Sequence, residues 1–367
     1  AVAWLVDDGW FVESVDSPSG FVKAKKYENS NTLLSVTTAV RTEVSVIIRP
    51  AGDTASTFVV QAYVTTEALK KILAKEGLSD DNELCRRIAD GVDWDCEVHK
   101  FYQSCNLGCN PSGYIAHKWA FSLTDKCIVL EDDVVPSVSF FAFCKEMLDR
   151  YERDERIGMI AGFNPEEESE CDGDYLFNSN FSIWGWASWR RVVDKWDENY
   201  AFLRNPYALS CLNEIIRERK MRRDFLYRCR RHIETGKPHF ETIFRAALLM
   251  NGYLAITPRV NMVNNVGVSA DSTHFAGSVA MLPKGYRRIF TMGRHELEFP
   301  LRHPQFVIED TRYRRSVYRI FAWGHPWIKI GRSFEELIIS IRHGQLKHIV
   351  RSVRNRILKL AGRNRNV

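Results

Sequence analysis

The sequence predicts an α/β protein built on a mixed sheet with helices on both faces. Cys127 to Leu130 and residues 157–163 are short apolar runs, and such runs are typical of strands that are buried on both faces. The apolar residues between Phe140 and Leu148 recur instead at the spacing of a helix. Strands that alternate with helices in this way are characteristic of a sheet covered by helices.

The first of these strands runs directly into three carboxylates, Glu131, Asp132 and Asp133. A buried strand that delivers acids to its carboxyl end places them where open α/β sheets bind ligands. Adjacent carboxylates repel one another, and an oxygen-ligated cation such as Mg²⁺ or Mn²⁺ relieves that repulsion. A solvated acidic turn is the alternative interpretation.

Composition narrows the class of protein. The 367 residues are 45% hydrophobic and 26% charged, which is typical of a globular protein with about two domains. Nine cysteines without metal-ligand spacing predict reduced thiols and a cytoplasmic location. No apolar run reaches the roughly 20 residues that a membrane-spanning helix needs.

We expect three regions along the chain. Residues 1–78 hold β-rich runs joined by short turns and a closing helix at residues 67–76, which predicts a small α+β antiparallel accessory module. Residues 79–311 carry the α/β domain with the acidic strand. Residues 312–367 form a basic amphipathic tail.

The tail has a larger net positive charge than the whole chain. Residues 312–367 contain fourteen Lys and Arg against Glu335 and Glu336, a balance of +12 in a chain whose net charge is +5. Apolar residues at helical spacing among these bases suit the surface of an anionic membrane. A helix packed on the protein with a basic outer face is the alternative. Nucleic acid is not an expected partner, because no recognition motif accompanies the charge.

A tryptophan-rich segment follows the second apolar strand. Gly185 permits close approach of the backbone, and indole rings offer flat faces that stack on sugar or base rings. Trp189 and Trp196 have the spacing of a helix face and are expected in the core. Trp184 and Trp186 suit either the core or a pocket wall.

Three further positions have two interpretations each. Arg190, beside Arg191, could bind a phosphate or form a surface ion pair. Glu241 begins an apolar helix, where an acid also interacts favourably with the helix dipole. His274 ends a polar loop and could equally be an ordinary loop residue.

Together, these segments give residues 79–308 a resemblance to a known family. The segments are VDWDCEV, NLGC, IVLEDDVVPSVSFFAFC, YERDERIGMIAGFN, SIWGWASWRRVVDKWD, PRVNMVNNVGV, STHF and FPLRHPQFVI. In this order they resemble a bacterial family of GT-A-type glycosyltransferases, sometimes called hemolytic-protein-like, which is distantly similar to N-acetylglucosaminyltransferase I. The strand and NRP-type turn with which members usually open are not recognisable here.

The resemblance implies a metal-dependent, inverting glycosyltransferase of surface polysaccharide or glycolipid assembly. Its donor would be a nucleotide sugar, with a UDP-sugar favoured, and its acceptor a hydroxyl of a glycan or lipid-linked molecule. We expect it in the cytoplasm, peripheral to the inner face of the cytoplasmic membrane. The alternative is an inactive or non-enzymatic protein that binds carbohydrate or nucleotide sugar.

The resemblance also assigns the metal ligands. The LEDD sequence matches the acidic metal-binding motif of the family, so Asp133 would ligate Mn²⁺ or Mg²⁺ directly. Asp132 and Glu131 would contact the metal, its water or the ribose of the donor. His274 matches a histidine that can approach the metal or the diphosphate.

The other assignments concern the base and the donor pocket. Glu241 lies where the family carries an acid near a helix start, and it would take the proton of the acceptor hydroxyl. Asn106 and Gly108 match a loop beside the donor. The remaining donor-binding residues would be Trp184, Gly185, Trp186 and Arg190.

Overall fold

The computed structural model describes a defined part of the chain. It covers residues 10–16, 21–26, 44–50, 57–62, 96–102, 107, 109–131, 133–267, 279 and 282–342. Before residue 97 the description is of the backbone alone.

These residues form twelve strands and nine helices. The strands are β1 Trp10–Asp16, β2 Phe21–Lys26, β3 Val44–Pro50, β4 Thr57–Ala62, β5 Cys96–Phe101, β6 Lys126–Glu131, β7 Val134–Pro136, β8 Ile157–Ala161, β9 Tyr175–Asn178, β10 Trp186–Trp189, β11 Leu254–Pro258 and β12 Val263–Asn265. The helices are α1 Cys109–Leu123, α2 Ser139–Arg150, α3 Arg190–Val193, α4 Pro206–Ile215, α5 Arg219–Thr235, α6 Phe240–Met250, α7 Lys284–Thr291, α8 Thr311–Ile320 and α9 Pro326–Arg342.

Eight strands form the central sheet, in the order β5-β3-β4-β6-β10-β8-β11-β9. β4 is parallel to β6 and β11 is parallel to β8, whereas β10 is antiparallel to both β6 and β8. β4, β6, β8 and β11 therefore run in one direction, so their last residues meet at one edge of the sheet, which we call the carboxyl edge. The sheet is mixed, as the sequence predicts.

Helices cover both faces of the sheet, also as predicted. Trp186 and Trp189 are three residues apart on β10, so their side chains point to opposite faces. The indole of Trp189 donates a hydrogen bond to the carbonyl of Leu148 in α2. The ring of Trp186 instead contacts Phe121 of α1 and Phe244 of α6.

The predicted strands and helices around the acidic motif are confirmed, with shifts at their ends. β6 is buried from Cys127 to Leu130. The helix predicted from the apolar residues between Phe140 and Leu148 runs from Ser139 to Arg150. Trp189 and Trp196 are in the core as expected, although only residues 190–193 between them are helical.

The division of the chain at residue 78 does not follow the sheet. β1 and β2 form a separate antiparallel pair. β3 and β4 fall within the predicted accessory module, yet β4 pairs in parallel with β6 and β3 pairs with β5. The sequence gives these strands an apolar pattern, but that pattern does not reveal which distant strand they pair with. The predicted helix at residues 67–76 lies outside the described residues.

The described part of the tail forms two helices. α8 begins at the N-cap Asp310, and its Val317 packs with Leu176 of β9. α9 exposes a row of apolar residues, with Trp327 81%, Phe334 62% and Ile341 55% exposed. Among the helices that the structure describes, none has both the length and the apolar content to cross a membrane. Residues 343–367 lie outside the description.

Candidate functional site

The acidic end of β6 lies at the carboxyl edge, held there by a small antiparallel pair of strands. β7 follows Asp133 directly and pairs with β12. The main-chain oxygen of Asp133 accepts a hydrogen bond from the Val266 amide at 2.7 Å. The carboxylate Oδ1 accepts another from the Asn265 side chain at 2.9 Å. The backbone and the side chain of Asp133 are therefore both fixed by residues 265 and 266.

Gly267 completes this arrangement. Its amide donates to Oδ1 of Asn265 at 2.9 Å, which orients the amide group of Asn265 toward Asp133. A Cβ atom at position 267 would lie 2.0 Å from Oδ2 of Asp133, so a larger residue would displace the carboxylate. The glycine therefore leaves the space that the Asp133 side chain occupies.

The donor set at this edge suits a hard cation. Glu131 and Asp133 offer carboxylate oxygens, which Mg²⁺ prefers, and Mg²⁺ commonly takes its other ligands from water and substrate phosphates. In the described parts of the chain, no group of three or more His, Cys, Asp and Glu could hold a metal ion. The predicted ligands Asp132 and His274 lie outside the described residues, as do Asn106 and Gly108.

Gly185 joins this edge to the tryptophan-rich segment. It has a positive φ of 60°, which favours glycine, and its carbonyl accepts from the Gly162 amide at 2.7 Å. A Cβ here would lie 2.9 Å from Val263 and 3.4 Å from Leu130, the residue before Glu131. The neighbouring Trp184 packs its ring against Phe163, with ring centroids 4.8 Å apart. Trp184 is thus a wall at the carboxyl edge.

Trp184 also borders a cavity of about 370 Å³. The cavity lies between the loop at residues 181–184 and the helices α5 and α6, and the segment that joins α8 to α9 closes one side. A cavity of this volume lies within the range of small-molecule sites. Its aromatic lining residues are Phe163, Phe181, Trp184, Phe225, Phe244, Phe321 and Trp323.

Glu241 and Arg245 bring opposite charges into this cavity. They lie one turn apart on α6, and both line the cavity wall. Burial lowers the pKa of Arg245, and the nearby charge of Glu241 opposes that shift. The buried Nε of Arg245 has no hydrogen-bond partner among the described residues. Its guanidinium lies over the ring of Trp323, with 5.7 Å from Cζ to the ring centroid.

Positive charge predominates in the cavity. The cations are Lys220, Arg228, Arg245 and Lys329, against the carboxylates Asp224 and Glu241, a balance of +2. Lys220 and Asp224 approach within 3.7 Å of each other on α5. Burial lowers the pKa of Lys329, and the charge of Lys220 lowers it further.

Two residues predicted to bind the donor make contacts within the fold. Trp186 is fully buried in the core beneath α1 and α6. Arg190 follows the opposite end of β10, where it pairs with Asp125 at 3.2 Å and donates to the Thr124 carbonyl. About four residues of strand, roughly 13 Å, separate that end of β10 from the carboxyl edge. The structure thus places Trp186 in the core and Arg190 at the far end of β10, and their contact with the donor stays a prediction.

Three further residues belong to the site in the structure, although the sequence alone does not indicate them. Asn265 and Gly267 lie in the PRVNMVNNVGV segment, which contributes to the resemblance. The sequence does not show that they contact Asp133. Arg245 is a lone base in the apolar helix α6, four residues after Glu241. That spacing could have indicated a charged pair on one helix face.

No protein-family model matches the chain, and no curated protein matches it in sequence.

Proposed function

We propose that the protein is a metal-dependent glycosyltransferase. It moves a sugar from a nucleotide-sugar donor, with UDP-sugars favoured, to a hydroxyl of a glycan or lipid-linked acceptor. The alternative from another class is a protein that binds the nucleotide sugar without turnover.

One observation carries the proposal. The buried strand β6 delivers Glu131 and Asp133 to the carboxyl edge, and Asn265 and Gly267 hold the Asp133 carboxylate there. Ligands of open α/β sheets bind at this edge. The resemblance to GT-A-type transferases gives these carboxylates a role in binding the donor diphosphate through a metal.

The Asp133 and Glu131 side chains would hold Mn²⁺ or Mg²⁺, which when bound supplies positive charge to the diphosphate leaving group. The anomeric C–O bond to the diphosphate breaks, and a C–O bond to the acceptor oxygen forms. Glu241 accepts the proton of the acceptor hydroxyl, and the nucleoside diphosphate leaves. Trp184 offers a flat face between the acidic edge and the cavity in which Glu241 lies.

The exposed face of α9 supports binding of the protein to a membrane surface. Trp327, Phe334 and Ile341 recur every seven residues, so they lie on nearly one side of the helix. The sequence of this region is basic, with a balance of +12 over residues 312–367. An anionic lipid surface complements both features. We therefore place the protein in the cytoplasm, peripheral to the inner face of the cytoplasmic membrane.

A donor screen tests the proposal. The full chain is incubated with Mn²⁺ and common UDP- and GDP-sugars, with lipid and glycan extracts as acceptors, and release of nucleoside diphosphate is measured. We expect release with one donor and loss of that release in Asp133→Ala. Tight, metal-dependent binding of a donor without turnover would favour the binding-protein alternative.

A further inference from the structure

The cavity beside Glu241 has the chemistry of a site for an anion. Its four cations outnumber its two carboxylates, and one of the cations, Arg245, extends from α6, whose only other charged residue is Glu241. A buried guanidinium is costly unless an anion or hydrogen bonds compensate it. The Nε of Arg245 lacks such a bond among the described residues. An anion in the cavity would compensate the charge of this guanidinium.

The walls of the cavity add a second requirement. Seven aromatic side chains line it, including Trp184 and Trp323. Aromatic walls favour apolar chains and sugar faces over a small hydrated ion. A ligand that fits therefore carries both an anionic group and an apolar or ring-shaped body.

The position of the cavity indicates where this ligand comes from. Lys329 lines the cavity and belongs to α9, between the exposed Trp327 and Ile330. Trp323 and Gly324, just before α9, also line it. The cavity thus adjoins the helix whose exposed apolar row suits a lipid surface. Lys329 lies about 200° around α9 from Trp327, so a molecule in that surface would reach Lys329 by passing around the side of the helix.

We infer that this cavity binds the phosphate group of a lipid-borne molecule, with Arg245, Arg228, Lys220 and Lys329 around the phosphate. Arginine suits phosphate because its planar fork can donate two hydrogen bonds at once. The inference depends on the proposed function in one respect, which is that the lipid-borne molecule is the sugar acceptor. Glu241, on the same wall, would then face the hydroxyl that receives the sugar.

Calorimetry on the full chain, without metal or donor, tests the binding site directly. The probes are dodecyl phosphate, inorganic phosphate and the uncharged dodecyl glucoside, each below its critical micelle concentration. We expect dodecyl phosphate to bind most tightly. Arg245→Met should weaken that binding by about tenfold or more, because a charge-assisted hydrogen bond is lost.

Two substitutions on α5 test the site independently of any folding defect that Arg245→Met causes. Arg228 lines the cavity, whereas the exposed Arg230, two residues further along the same helix, does not. Arg228→Met should weaken the binding of dodecyl phosphate, and Arg230→Met should leave it unchanged. Equal weakening by both substitutions would show general charge attraction and overturn the inference.

Three other results bear on the inference. Dodecyl glucoside that binds as tightly as dodecyl phosphate would overturn the selectivity for an anion. Inorganic phosphate that binds as tightly would overturn the lipid-borne source. Binding that depends on Arg245 in a chain that turns over no donor would support the site and count against the glycosyltransferase proposal alone.

Discussion

The side-chain amide of Asn265 donates a hydrogen bond to Oδ1 of Asp133 at 2.9 Å, which joins the end of β6 to the end of β12. The two residues are 132 positions apart in the chain. This contact fixes one oxygen of the carboxylate that we assign to the metal.

Asp133→Ala should abolish metal-dependent binding of the nucleotide sugar and leave the fold intact. The substitution removes the carboxylate but keeps the backbone bond from Val266 to residue 133. Calorimetry with the donor in Mn²⁺ measures the effect. The exposed Asp172→Ala is the control. Unchanged donor affinity in Asp133→Ala would remove the basis of the metal site.

Gly267→Ala should weaken Mn²⁺ binding without removing any ligand. The new Cβ would lie 2.0 Å from Oδ2 of Asp133, so the carboxylate must rotate away from its position. We expect a loss of about tenfold or more, comparable to that from outer-shell substitutions at metal sites. Gly331→Ala is the matched control, because no atom lies within 4 Å of a Cβ built there. Equal affinity of both variants would show that Asp133 does not need its present orientation.

Glu241→Gln tests the proposed base. Turnover should fall by roughly 10²- to 10⁴-fold, the usual contribution of a general base, while donor affinity changes little. Steady-state kinetics and donor titration on the same preparation separate the two effects. Glu214→Gln, at an exposed position of α4, should be as active as the parent. A Glu241→Gln variant with parental turnover would leave Glu241 as a helix-start acid.

The sequence predicts the local parts of this site better than its long-range contacts. The apolar run from Cys127 to Leu130 indicates a buried strand because strand burial depends on neighbouring residues. The same run contains no information that β4 lies beside it in parallel. β4 is a parallel neighbour of β6, and it lies before residue 79, outside the region that resembles the family. Pairing of this kind depends on the whole fold.

The two tryptophans around Gly185 show a similar limit. Trp184 and Trp186 have the same residue type and nearly the same local sequence, yet one lines the cavity and the other is buried beneath α1 and α6. Side chains alternate between the two faces along β10, so the residue at which the strand begins determines which face Trp186 occupies. The sequence does not indicate that β10 begins at Trp186. The position of Arg190 depends on the same strand, because Arg190 follows the end of β10.

Buried histidines should make stability depend on pH. His117 is buried among aromatic rings, and this burial lowers its pKa to about 3 from the ordinary 6.5. Below pH 6.5 the unfolded chain binds a proton that the folded chain does not bind until about pH 3. The free energy of unfolding should therefore fall as pH falls through this window, by at most about 1.4 kcal/mol per pH unit from this group.

His117→Gln isolates that contribution. The variant should be less stable than the parent near pH 7, because glutamine lacks the ring that packs against the aromatic residues. Because glutamine stays neutral, the variant should also lose stability more slowly between pH 6.5 and pH 4. Urea unfolding at several pH values measures the slope. Asn213→Gln, at an exposed position of α4, gives a control substitution without a titrating group, and it should leave the slope unchanged. Identical slopes for the parent and His117→Gln would contradict the pKa shift.

The exposed row on α9 should hold the protein on anionic membrane. Burying a large apolar side chain contributes on the order of 2 kcal/mol, and each nearby base adds about 1 kcal/mol at an anionic surface. Replacing Trp327, Phe334 and Ile341 together by serine should therefore release the full chain from phosphatidylglycerol vesicles in a flotation assay. The electrostatic share should weaken near 1 M salt, where the Debye length is about 3 Å.

Exposed aromatic residues elsewhere provide a matched control for this variant. Tyr207, Tyr227 and Phe306 are 79%, 65% and 67% exposed, so replacing them by serine removes comparable apolar surface outside α9. That control should float with the vesicles as the parent does. If the α9 variant floats equally well, the row on α9 does not contact lipid, and some other surface must explain any attachment. If both variants are released, the attachment depends on total exposed apolar area, because no single face then accounts for it.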